Sequence, residues 1–160
     1  SLYLLGFRGW QTNAATECAF QRVRYNDGVE LNVPEKLEYS PTGVKITFAT
    51  KLDKELATDP ASFGVERWNY VRGPMYGSGE FSVDTPDIAA EEEAIKKESK
   101  NVRKHDTVEV ESAKLSSDGQ TVELVLKGMK PSHQLKISYD LETEDAQPIK
   151  NDIHATVYKD

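Results

Sequence analysis

Cysteine is nearly absent from this chain. Cys18 stands alone among 160 residues, so no intrachain disulfide can form and no CxxC or CxxCH pattern exists. A chain of this length buries enough core to do without such staples, even in an oxidising compartment. Positive charge is also scarce. A net charge of −7 disfavours nucleic acid and anionic membrane surfaces as partners, because both need a basic stripe. Neutral glycans, cations and basic proteins stay compatible with it. No apolar run approaches the roughly 20 residues of a membrane-spanning helix. Ser1 leads directly into Leu2-Tyr3-Leu4-Leu5, without a basic region or cleavage site, so the chain reads as a piece of something larger. No P-loop, Rossmann glycine pattern or nucleophile elbow occurs either.

What is present is two-fold alternation. Val44, Ile46 and Phe48 share one face of a short segment, with Lys45 and Thr47 on the other. Phe63–Tyr70 follows the same rule and ends in aromatics. In 121–126, Val122, Leu124 and Leu126 point one way and Thr121, Glu123 and Val125 the other. Leu135, Ile137 and Tyr139 repeat the pattern, and 153–158 supplies a last strand after a polar connection over 142–151. Ser116-Ser117-Asp118-Gly119 marks a hairpin turn between Val108–Leu115 and its partner. Some seven short strands at this spacing predict an all-β Greek-key sandwich.

Two stretches depart from the pattern. Val29–Lys36 has no periodicity and contains Pro34, which cannot donate to a ladder, so the domain boundary is expected at 36/37. Before it, residues 1–36 hold two strand-like pieces, Leu2–Leu5 and Cys18–Tyr25, the second followed by the turn Asn26-Asp27-Gly28. The other departure is 71–107, expected as an insertion with a short helix. Asp87 is placed to cap it, with Glu91–Glu93 early and Lys96, Lys97 and Lys100 late.

Within 37–160 the run VKITFATKLD, then ASFGVERWNY, then VESAKLSSDGQTVELVLKGMKPSHQLKISYDLETEDAQPI resembles bacterial Ig-like and fibronectin-III-like modules. The opening LYLLGFRGWQTN with CAFQRVRY, together with Trp68–Tyr70 and Tyr76–Ser78, is similar to something narrower. It resembles the end of a sugar-dehydrogenase-like β-propeller, and the module after it, in large secreted multidomain proteins of planctomycetes and verrucomicrobia. There a cytochrome c domain often lies elsewhere in the chain. The resemblance implies a periplasmic or extracellular setting and neighbouring domains, a propeller among them, as partners. It implies no activity here, since neither a haem-attachment motif nor a complete propeller is present.

Candidate sites were weighed on their residue chemistry. A copper centre of the cupredoxin type needs Cys, His and Met close together near the C-terminal end, whereas Cys18 is near the start and Met129 is isolated before His133. A small buried hydrophobe is the better reading of Cys18. His105-Asp106 and Asp152-x-His154 are the histidine–carboxylate neighbours. Two ligands do not make a metal site, and a surface pair is expected. Asp140, Glu142, Glu144 and Asp145 offer oxygens to calcium but lack EF-hand spacing, so a solvated loop is preferred. The aromatic stretch carries the most interesting surface. Trp68, Tyr70, Tyr76 and Phe81 could form a platform for sugar rings, with Arg67, Asn69 and Arg72 donating hydrogen bonds. Packing of Trp68 in the core or against the insertion is the ordinary alternative. The sequence therefore predicts a non-catalytic accessory module without cofactor, with glycan binding second and calcium binding or catalysis third.

Overall fold

The computed structural model describes residues 2–7, 18–24, 32–74, 76–97 and 99–158. The chain divides into two compact units, Ser1–Glu30 and Leu31–Asp160.

In the first unit, β1 (Leu2–Phe7) and β2 (Cys18–Val23) form an antiparallel pair in continuous register from Leu2↔Val23 to Phe7↔Cys18. The turns expected at 8–14 and 26–28, with Arg8, Trp10 and Asn13, lie outside the described residues, as does the side chain of Cys18.

The second unit is all-β with a short helical insertion. One sheet runs β3 (Pro34–Ser40), β4 (Gly43–Phe48), β9 (Thr121–Leu126), β8 (Val110–Leu115). The other runs β11 (Pro148–Val157), β10 (Ser132–Glu142), β5 (Phe63–Tyr70), β6 (Glu80–Phe81), and β7 (Asp106–Thr107) also pairs with β5. Lettered A to G along the chain, these orders are ABED and GFC with an added edge, the strand arrangement of an immunoglobulin-type sandwich. Alternation explains the core between the sheets. Val44, Ile46 and Phe48 from β4 and Val122, Leu124 and Leu126 from β9 meet Val65, Leu135, Ile137 and Ile149 from the opposite sheet. Phe48 and Tyr139 close it with an edge-to-face contact at 5.4 Å.

A helical turn, α1 (Lys54–Thr58), carries the chain from β4 across to β5, capped by Asp53 accepting from the Leu56 N–H at 2.9 Å. The second helix, α2 (Ile88–Lys96), begins at Asp87 as its sequence predicts, with the Ala90 N–H donating to the Asp87 side chain. It buries only Ala94, consistent with its thin apolar stripe.

Two expectations shift. Pro34 opens β3 rather than lying in a linker, because the first residue of an edge strand is where proline is tolerated; a register slip between Pro34 and Lys36 absorbs it. The polar stretch 142–151 is largely strand: β10 and β11 run on to Glu142↔Pro148 around a turn closed by Thr143 and Gln147. Its Lys150, Asn151 and Asp152 face solvent on an edge, so apolar alternation does not reveal them. Strand β3 starts beside Phe48 at one pole and ends at Ser40 at the other, where β11 also ends next to Ser132. The chain thus enters this unit at one pole and leaves it at the opposite one.

Candidate functional site

The alternation that sends Phe63, Val65 and Arg67 inward sends Glu66, Trp68 and Tyr70 to the outer face of the larger sheet. Trp68 is nevertheless only 4% exposed. It lies outside the central core and is covered by rings from three other chain positions. His105, just before β7, stacks on the indole with centroids 3.9 Å apart and planes at 6°. Tyr70 and His154 meet it edge-on, each at 6.4 Å. His133 stacks on Tyr70 at 6.4 Å, and its Nδ1 accepts from the Tyr70 backbone N–H at 3.0 Å. Asn69 reciprocates, its Oδ1 accepting from the His133 N–H at 2.9 Å. All three histidines of the chain border one aromatic pair. Spacing could not have found this, since the residues meet only through β5–β7 and β5–β10–β11 pairing.

Carboxylates complete the ring of contacts. Glu80 Oε2 lies 2.5 Å from His105 Nε2 and 3.1 Å from Arg103 Nε, and Glu66 Oε2 lies 3.7 Å from His105 Nδ1. On β11, Asp152 takes bonds from the Ser138 hydroxyl and from Lys136, which hold its carboxyl below the usual range. Among the described residues no three His, Cys, Asp or Glu side chains converge to hold a metal ion.

The residues read as a sugar platform separate. Arg67, Trp68 and Phe81 are buried, Asn69 is half-buried, and Arg72 and Tyr76 are exposed. Trp68 and Tyr70 stand at 85°, so they make no flat platform, and only Tyr70, at 37% exposure, reaches solvent. Arg67 points to the other side of the sheet. Its guanidinium donates to the Gly128 carbonyl and to Asp84 Oδ1, each at 2.6 Å, and Lys130 shares that carboxylate. These two bonds hold the Asp84 carboxyl below its ordinary range. The acidic residues near the end of β10 also disperse: Asp140 pairs with Lys150 and Glu144 with Lys51.

Comparison with protein-family models, with curated proteins and with solved structures finds no match. Strand order alone therefore defines the class: an immunoglobulin-type β-sandwich joined in sequence to a β-hairpin unit. No described helix is long and apolar enough to cross a membrane.

Proposed function

We infer that this chain is a non-catalytic accessory module of a larger secreted or periplasmic protein, docking and spacing neighbouring domains. The observation that carries the reading is the hairpin of β1 and β2. Leu2, Leu4 and Val23 are exposed on one of its faces, and Tyr3, Leu5 and Phe20 on the other, with Leu5 83% and Phe20 70% exposed. Strands apolar on both faces belong in sheets covered on both sides, and a two-stranded pair is at best marginally stable alone. The stacked rings of Tyr3 and Phe20, 5.6 Å apart, give that second face a flat contact surface. A neighbouring β-rich domain that adds strands and covers both faces answers both needs.

The test compares hydrogen exchange at Leu2–Phe7 and Cys18–Val23 in this chain and in the chain joined to the polypeptide its gene encodes before it. Docking predicts that these amides slow strongly in the longer protein, and that Leu5→Lys with Phe20→Lys restores fast exchange there. Equal exchange in both proteins overturns it.

A further inference from the structure

The His105 ring covers Trp68 at the place where the 71–104 excursion rejoins the sandwich. Its surroundings serve its two protonation states unequally. A neutral imidazole has one N–H, and the Glu80 carboxylate at 2.5 Å takes it. The other nitrogen faces Glu66 at 3.7 Å, a separation at which a charged ring gains attraction and a neutral ring gains almost none. The indole adds to the difference. Parallel stacking at 3.9 Å is the poorer arrangement for two neutral rings and a favourable one for a cation over a π face.

The remaining charges nearby are accounted for. Arg103 shares Glu80, and Lys104 turns to Asp87 at 3.4 Å. Asp106 accepts from Ser82, Val83 and Asp84. Across the indole, His154 meets the ring edge, and Lys136 pairs with Asp152 at 3.1 Å. The groups in contact with His105 are thus two carboxylates, one of them shared with a guanidinium, and an aromatic face.

We propose that His105 is a proton-dependent clasp, which when protonated fastens the returning end of the 71–104 excursion onto Glu66, Trp68 and Glu80, and when neutral releases it to uncover the indole. The sign follows from linkage. The closed form binds the proton, so closure is complete on the acid side and is lost as pH rises through the range where histidines discharge, about pH 5 to 8. Below about pH 4 the two glutamates protonate and the clasp weakens again.

Trp10 is the only other tryptophan, so Trp10→Phe leaves Trp68 as the sole emitter. In that background, acrylamide quenching of Trp68 is expected to rise about two- to fivefold between about pH 5.5 and about pH 8, the scale of one partly exposed ion pair. His105→Gln keeps a donor for Glu80 but cannot charge, and should leave quenching independent of pH. Glu66→Gln removes one carboxylate while keeping the fold, and should shrink the rise. His133→Gln and His154→Gln should leave it intact. A flat profile in the parent, an undiminished rise in His105→Gln, or loss of the rise in His154→Gln overturns the proposal. If His105→Gln does not fold, Glu66→Gln decides: an unchanged rise there overturns it equally.

Discussion

Gly43 sits where β4 and β9 approach most closely. A Cβ built there would lie 1.9 Å from the Leu124 carbonyl oxygen, a backbone atom that cannot move aside without breaking the β4–β9 pairing. Gly43→Ala should therefore cost about 3 kcal/mol, the top of the range for overpacked sites, visible as a lowered denaturant midpoint with an unchanged slope. Arg67 presents the opposite case, a buried charge that depends on its partner. Asp84→Asn strips the carboxylate from a guanidinium whose side chain is 5% exposed, but Asp84 is itself one-third exposed, so the loss at neutral pH should be about 2 kcal/mol rather than the full buried-pair value. Because the Asp84 carboxyl is held below its ordinary range, this stability is present above the unfolded value, about pH 4, and is lost as pH falls through the folded value. Urea titrations across the acid range should show a shallower acid limb in Asp84→Asn than in the parent. At this scale the sequence was only half legible. Arg67 and Trp68 stood out as candidates, but adjacent positions on a strand face opposite ways. One became an internal anchor and the other a ring covered on the outer face.

Among the elements, β4, β5 and β9 could be read closely because each buries one face against a single core, which forces strict apolar alternation. The extension of β10 and β11 to Pro148 could not, because an edge strand keeps polar residues toward water and only Ile149 goes inside. The excursion was legible as an insertion with an Asp87-capped helix, but not in how it returns. Glu80 and Arg103 bridge in parallel, Gly79 donates to Ser99 at 3.0 Å, and Phe81 is buried beside β5. Such short pairings carry no periodicity. The meeting of three histidines around Trp68 and Tyr70 is their product, so it was invisible for the same reason.

For the sandwich unit taken whole, the first and last strands lie on the outer edges of different sheets, each bonded to one neighbour. Both run from the same pole toward the other, so tension between Pro34 and Val157 acts along the strands rather than across them. It slides β3 against β4 and β11 against β10, loading the ladder bonds together instead of opening them one at a time. Stretched in optical tweezers from these two points, the unit should give way in a single force peak. Pulled from Pro34 and Gly43, the same β3–β4 pair is peeled bond by bond and should part at lower force. Two comparable forces would show that strand direction does not govern its resistance. A unit built in this way transmits load between whatever lies on either side of it, and the direction of its edge strands sets how much it can bear.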